Sequence, residues 1–364
     1  MRPPERFTVS SAVQWQETCR SSVGDLDLSR VVIVHTPSAH RYVLENFAWA
    51  EKSLKIAIAN EPSVEDFAGF EKLASPPQLV IGIGGGKALD AAKAVAYWGS
   101  IFSSRQELAQ TLLTGGKIEQ ARNAKLILSP SLASSGSEAS KAAIISIGSH
   151  KTGLRGIGLV ADKVVYDYRL WTSLTMPVAL HYAFDIFAHL LETTVSLRRT
   201  EQSLAYARDG FARLSHWLFA QDADLTQYQE AMEASFYAGL CLATSSTCLP
   251  HRIQYVIGPA TGTTHVEGIW YLSQGWFALA EKHCPDRLAE AATMFHSESF
   301  GLKNFHEAFR LIHQNSASQV RRSFFSKLPK SGQQLANEVS GDLAADPTFE
   351  GMATIENLII HQPS

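Results

Sequence analysis

Cysteine is scarce in this chain: Cys19, Cys241, Cys248 and Cys284 are the only 4 in 364 residues, and none stands in CxxC-type spacing. That excludes a zinc ribbon and gives no basis for a disulfide framework. An excess of charge is missing too, with 32 Lys+Arg against 35 Asp+Glu and a formal net charge of -3. Nucleic-acid binders concentrate basic residues, so no nucleic-acid partner is expected and small neutral or mildly charged ligands are. No apolar run approaches the ~18 residues of a membrane span, and the opening MRPPERFTVSSAVQ holds no apolar core of a secretion signal. The expectation is a soluble, cytoplasmic protein with no membrane partner. Internal repeats and long blocks of like charge are also lacking. What is present is 45% hydrophobic residues, enough for a sizeable core, and 13 His. Histidine is therefore the ligand type to follow.

At roughly 150 residues per domain the length suggests two domains, and the two halves differ in texture. In the first, Val- and Ile-rich runs alternate with amphipathic stretches: Arg30–His35, Lys55–Ala59, Gln78–Gly82 and Lys125–Ser129, with Ala143–Ile147 and Val164–Tyr166 closing the half. Continuous apolar runs separated by helical segments are the mark of a parallel sheet covered on both faces. Helices are expected at about Ser38–Lys52, Val64–Leu73 and Lys87–Tyr97. After Leu170 the β-branched runs give way to helical patterns at Met176–Leu197, Glu201–Leu218, Leu225–Leu242 and Val266–Lys282, with Pro177 placed at a helix start. The expected architecture is a doubly wound α/β domain with a parallel sheet over residues 1–170, the half in which the segments below point to dinucleotide binding, and an all-helical domain over 171–364. The cleft between such halves is where an active site is expected.

Directly after QLVIG stands Gly82-Ile83-Gly84-Gly85-Gly86-Lys87-Ala88-Leu89-Asp90. Glycines let a backbone approach a pyrophosphate, and the helix start beyond them offers free N–H groups and a positive dipole end. The spacing is neither GxGxxG nor GxxxxGK[ST], and a tight turn needing φ > 0 is the plain alternative. A second small-residue stretch, Ser129-Pro130-Ser131-Leu132-Ala133-Ser134-Ser135-Gly136-Ser137-Glu138, follows KLILS. Two such segments after two strands of one sheet point to a single nucleotide site.

In the helical pattern Ala179–Glu192, Asp185 and His189 are four residues apart and share a face, with His181 one turn earlier. Spacing leaves open whether His181/Asp185 or Asp185/His189 is the ligand pair. Further on, His251 begins a short helical run expected to end at Gly258-Pro259, after which a small-residue loop leads to His265. One carboxylate and three imidazoles suit Zn²⁺ or Fe²⁺.

The combination GGGKALDAAK, PSLASSGSEAS, Asp167-Tyr168-Arg169-Leu170 before Pro177, FDIFAHLLE, and His251 with His265 fourteen residues on resembles the iron-containing (group III) alcohol dehydrogenases. That family lies within the glycerol dehydrogenase and dehydroquinate synthase-like superfamily, and GIGGGKALDAAKAVAY is particularly like its glycerol dehydrogenase branch. The resemblance runs from about Arg30 to His265, with an echo at Ala345-Asp346-Pro347-Thr348. It implies NAD or NADP as cofactor, one Fe²⁺ or Zn²⁺ ion, and hydride transfer between nicotinamide C4 and a small-molecule alcohol or aldehyde. It places Gly84, Gly85, Gly86, Lys87, Asp90 and Thr36 on the dinucleotide side, and Ser131, Leu132 and Ser135 along the nicotinamide. Asp185, His189, His251 and His265 fall at the four metal-ligand positions, leaving His181 as a neighbour.

Departures from the family pattern mark where chemistry can differ. The acidic residue often found after the first strand is absent from Val34-His35-Thr36-Pro37, which makes the stretch compatible with a 2′-phosphate. Leu132 stands for a usual Thr, and Val266 for a usual Gly. Tyr255 occupies the position of a histidine implicated in proton relay, so it joins the catalytic candidates; a phenol relays protons but, at a reference pKa near ~10, is a poorer base. Three alternatives share the fold: a dehydroquinate-synthase-like cyclase, a metal-independent keto-acid reductase, and a non-catalytic relative. A homodimer is the base-rate expectation.

Overall fold

The computed structural model describes residues 2–148, 150–171, 174–219, 228–295, 309, 310, 312–314, 328 and 330–360. The chain forms two compact units: Met1–Leu132 with Gly136–Ser173, and Ala133–Ser135 with Leu174–Ser364.

The first unit is built on β1 (Glu5–Thr8), β2 (Val31–His35), β3 (Leu54–Ala57), β4 (Leu79–Gly84), β5 (Lys125–Pro130) and a late strand at Lys163–Tyr166. All pair in parallel, and the late strand lies between β1 and β5 in the order β1, Lys163–Tyr166, β5, β4, β2, β3. VVIVH and LVIGIG are buried at every position, as expected for central strands covered on both faces. β1 (ERFT) is exposed at every residue and sits at a sheet edge, so no apolar run announces it.

Of the two apolar runs that close this half, only the second enters the sheet. The first becomes β6 (Ala142–Ile147), which pairs antiparallel with β7 (His150–Arg155) as a separate ladder, and the sheet strand Lys163–Tyr166 is β8. Ala143 and Ile145 are buried while Ala142, Ile144 and Ser146 are half-buried. That alternation belongs to a ladder with one covered face. The expected helix Ser38–Lys52 is broken into a 3₁₀ turn, an α-helix at His40–Asn46 and a second 3₁₀ turn at Ala48–Ala50. Asn46 Nδ2 donates to the Tyr42 carbonyl at 2.9 Å, a side-chain bond that competes with helix continuation. Val64–Lys72 is likewise a 3₁₀ helix.

The first unit carries helices α1 (Ala12–Val23), α2 (His40–Asn46), α3 (Gly86–Val95) and α4 (Arg105–Leu113). In the second they are α5 (Met176–Val195), α6 (Glu201–Phe219), α7 (Tyr228–Thr244), α8 (Leu249–Thr261) and α9 (His265–His283). Helix α5 starts with Pro177 in its first turn and is buried along nearly its whole length from Ala183 to Val195, packed among α6, α7 and α9. Helix α8 runs through Pro259 to Thr261, past the expected stop at Gly258-Pro259. Gly262 (φ 70°) caps it in the left-handed region, its N–H reaching the Gly258 carbonyl. A proline near a helix end forfeits one hydrogen bond without ending the turn. The capping box of Thr264 and Glu267 then starts α9 at once, so His265 is its first residue. No described helix is long and apolar enough to cross a membrane.

Candidate active site: a glycine cradle and a four-residue metal cluster

In the first unit, β4 ends in Gly84 and α3 starts two residues later. Gly84 has φ +142°, and a Cβ there would lie 2.6 Å from Thr36 Cγ2, so only glycine fits under the threonine at the end of β2. A Cβ on Gly85 would meet nothing within 4 Å, so this N-cap faces open space. No side chain caps the first turn of α3; the Ala88 N–H donates to the Gly85 carbonyl at 3.0 Å, which leaves those of Gly86 and Lys87 to meet an anion. Helix and strand are in tight contact beneath this turn: a Cβ on Gly82 would come within 2.7 Å of both Ala92 Cβ and Leu128 Cδ2. Lys87 is exposed, its ammonium 3.4 Å from the Ala59 carbonyl. The Ser131 N–H donates to the Gly84 carbonyl at 3.0 Å, tying the second small-residue loop to the glycine turn. Leu132 is half-buried at the edge of this unit.

Asp90 is turned inward. Its carboxylate accepts from Ser137 Oγ (2.5 Å) and the Ile144 N–H (2.9 Å), with the Lys93 ammonium 3.5 Å away. Lys93, fully buried, donates to Ser137 Oγ, Ser140 Oγ and the Ala142 carbonyl at 2.6–3.0 Å. Burial raises the Asp90 pKa and lowers that of Lys93, while the pair's attraction opposes both shifts. In this structure the pair fastens α3 to the loop after β5 and to β6.

The second unit brings Asp185 and His189 from α5, His251 from α8 and His265 from α9 into one cluster, each offering a ligand atom within 4.8 Å of the others. From Asp185 Oδ1 the distances are 3.4 Å to His251 Nε2, 3.8 Å to His265 Nε2 and 3.8 Å to His189 Nδ1. Asp185 Oδ1, His189 Nδ1 and His251 Nε2 are buried without a hydrogen-bond partner. Three orphaned polar atoms facing one another are costly unless a cation takes their lone pairs, and one carboxylate with three imidazoles is a donor set for a divalent ion. His181, also buried on α5, lies outside the cluster and packs edge-on to Tyr182.

Neighbouring groups hold three of the four cluster residues. Ser134 Oγ donates to Asp185 Oδ2 at 2.8 Å, and the Ser134 N–H reaches Ser235 Oγ on α7. His251 Nδ1 lies 2.7 Å from Glu192 Oε1, and His265 Nδ1 lies 2.8 Å from Gln254 Oε1. Both acceptors place the proton on Nδ1 and leave Nε2 as the donor atom toward the cluster. Tyr255 stacks on His265 with ring centroids 6.0 Å apart. Ser135 is half-buried, and the segment Ala133–Ser135 groups with the helices although it follows β5.

The charges follow from this crowding. Burial alone would raise the Asp185 pKa, but His189, His251 and His265 outweigh it and keep the carboxyl ionised far below its usual range. Burial, reinforced by His251, pushes His189 well below its ordinary value. Burial also opposes charge on His251, yet Glu192 and Asp185 together raise its pKa to about 9.

Ser134 lies inside PSLASSGSEAS and Glu192 ends FDIFAHLLE, yet neither they nor Gln254 carry a role that their residue type or motif position announces. The one signal available was periodicity: Asp185, His189 and Glu192 are spaced i, i+4, i+7 along one stripe of α5.

A parallel nucleotide-type domain with a glycine turn, joined in one chain to a helical unit carrying a carboxylate–trihistidine cluster, defines a class of metal-site proteins. Residues 15–168 match the model of the family described as iron-containing alcohol dehydrogenase. The long-chain-alcohol dehydrogenase 1 of Geobacillus thermodenitrificans is 25% identical over 239 residues, covering 65% of this chain and 60% of that protein. The 1-propanol dehydrogenase of Salmonella typhimurium is 28% identical over 187 residues, 50% of this chain and 46% of that one. The chain thus spans about half the length of such curated relatives. Among solved structures, a sulfoacetaldehyde reductase from Bifidobacterium kashiwanohense in complex with NAD⁺ shares the fold with a TM-score of 0.81 at 16% identity, over 99% of this chain and 96% of that one. Over residues 15–168 the chain is similar to the iron-containing alcohol dehydrogenases, and it shares their fold.

Proposed function

We propose that the chain is a metal-dependent, NAD(P)-linked alcohol dehydrogenase or aldehyde reductase that moves hydride between the nicotinamide and a small alcohol or aldehyde. One observation carries the reading: the ligand atoms of Asp185, His189, His251 and His265 converge, and three of them are buried without partners. These four residues would hold Fe²⁺ or Zn²⁺, which supplies Lewis acidity toward the substrate oxygen. The chain's own groups provide the rest. Ser134, Glu192 and Gln254 orient the ligands, while the turn Gly84–Gly86 and the start of α3 bind the pyrophosphate. Thr36 stands where a carboxylate would select against a 2′-phosphate, so both NAD and NADP are accepted. Ser131, Leu132 and Ser135 line the nicotinamide, and Tyr255, stacked on His265, passes the hydroxyl proton. We read the protein as cytoplasmic and homodimeric.

The test is a spectrophotometric assay of the purified chain loaded with Zn²⁺ or anaerobically with Fe²⁺, using NAD(H) and NADP(H) against a series of alcohols and aldehydes. Turnover that disappears on chelation and returns with metal supports the reading. A metal-loaded protein that binds neither dinucleotide by calorimetry overturns it.

A further inference from the structure

The cluster is not backed evenly. Gln254, a neutral amide, accepts from His265, whereas Glu192, a carboxylate, accepts from His251. Glu192 is 1% exposed and uses both oxygens: Oε1 toward His251 Nδ1 at 2.7 Å and Oε2 toward the Cys248 N–H at 2.7 Å, just before α8 begins. The next N–H, that of Leu249, goes to a second buried carboxylate, Asp346 Oδ2, at 2.7 Å. Asp346 is otherwise committed to Trp276 Nε1 and to Thr348, and among the described residues it reaches no histidine. The start of α8 is thus gripped by two carboxylates, only one of which also touches a metal-ligand candidate.

Resting on the metal-site reading above, we propose that Glu192 is the positioning residue of the site. It fixes His251 in the Nδ1–H tautomer and makes its Nε2 a stronger donor, while Asp346 serves only to anchor the helix. The physical reason is the geometry of the two bonds. A glutamine at 192 has one oxygen and one NH₂, and its neighbours, the Cys248 N–H and the His251 Nδ1–H, both need an acceptor. If the oxygen serves Cys248, the NH₂ faces His251 and favours the tautomer with its proton on Nε2, which removes the ligand lone pair. If the oxygen serves His251, a donor is pressed against the Cys248 N–H and the charge behind the imidazole is still lost. Carboxylates placed behind ligating histidines commonly account for roughly 10- to 100-fold in metal affinity.

The experiment compares Zn²⁺ affinity, by competition with a chromophoric chelator, in wild type, Glu192→Gln and Asp346→Asn, with a thermal melt of each metal-free protein. Expected is a loss of roughly 10- to 100-fold in Glu192→Gln and under threefold in Asp346→Asn. Near-wild-type affinity in Glu192→Gln, or an equal loss in both variants, overturns the assignment. Should either variant not fold, the decision falls to wild type labelled with ¹⁵N-histidine: its Zn²⁺-loaded spectrum is expected to show His251 protonated on Nδ1, and a proton on Nε2 overturns the proposal. A wild type that binds no Zn²⁺ would instead remove the metal-site reading itself.

Discussion

Asp185 Oδ1 and His251 Nε2 lie 3.4 Å apart, both buried and neither hydrogen-bonded. Two ligand bonds of about 2.1 Å meeting near the tetrahedral angle place their outer atoms about 3.4 Å apart. That pair therefore has the spacing of two ligands on one ion, and the four ligand atoms lie within 4.8 Å of one another, which makes the cluster's response to metal predictable.

Metal is expected to stabilise the fold through these residues. A ligand that binds only the native state adds about 2.7 kcal/mol at a hundredfold excess over its Kd. A thermal melt of wild type with Zn²⁺ is expected to move upward, while Asp185→Asn and His251→Ala move little and lose turnover with it. Turnover retained in His251→Ala would favour a metal-independent chemistry on this fold.

Proton competition sets the pH dependence of loading. His251 has its pKa raised to about 9, so without metal its imidazole is charged at neutral pH and must lose a proton to ligate. Metal affinity is expected to rise as pH increases from 7 towards 9 and to level off above. The metal-free protein behaves in the opposite way. A raised native pKa contributes stability that is complete below the unfolded value near 6.5 and is lost as pH climbs through about 9. Denaturant titrations of chelated protein at pH 6.5 and 9.5 check the sign, with wild type losing stability to alkali over that window and His251→Ala losing less.

Two adjacent glycines are expected to separate folding from binding. Gly84→Ala forces a Cβ into Thr36 at φ +142°, so a cost of about 1–3 kcal/mol is expected. Gly85→Ala adds a Cβ at φ -76° into open space, which leaves stability near wild type. If the pyrophosphate approaches that space, Gly85→Ala weakens dinucleotide binding in calorimetry without moving the melt. Equal affinity in Gly85→Ala and wild type would place the cofactor elsewhere.

How much of this was visible beforehand depends on what burial does to a sequence. β2 and β4 are covered on both faces and appear as unbroken apolar runs, so the parallel sheet was legible. β1 is an exposed edge strand with no such run, and β6 alternates because one face is open. The four cluster residues were legible through a family pattern, since spacing alone left His181 competing with His189. Glu192, Ser134 and Gln254 were not, because a residue that orients a ligand needs only reach and a suitable acceptor or donor. Asp90 shows the converse: its place beside the glycine turn suggests cofactor contact, yet its oxygens serve Ser137 and the Ile144 N–H.

That internal placement makes Asp90 a stability residue first. Removing one member of a buried, hydrogen-bonded ion pair strands the other and costs about 3–5 kcal/mol. Asp90→Ala is expected to lower the denaturation midpoint by that order, and Asp90→Leu with Lys93→Met to recover part of it. Dinucleotide affinity measured on the folded fraction is expected to change far less than stability; a loss of affinity at unchanged stability would return Asp90 to the cofactor.

Tyr255 tests the proton path. Its ring stacks on that of His265, and a phenol with a reference pKa near ~10 stays protonated across the neutral range. Tyr255→Phe keeps the stack and removes the hydroxyl, so kcat is expected to fall by about 10²-fold or more, as for loss of a general acid or base, with Zn²⁺ affinity within a few fold of wild type. Tyr255→His supplies a group titrating near ~6.5, and the pH optimum of kcat is expected to move to lower pH. An unchanged kcat in Tyr255→Phe would leave the ring with a packing role against His265 and send the proton to solvent by another route.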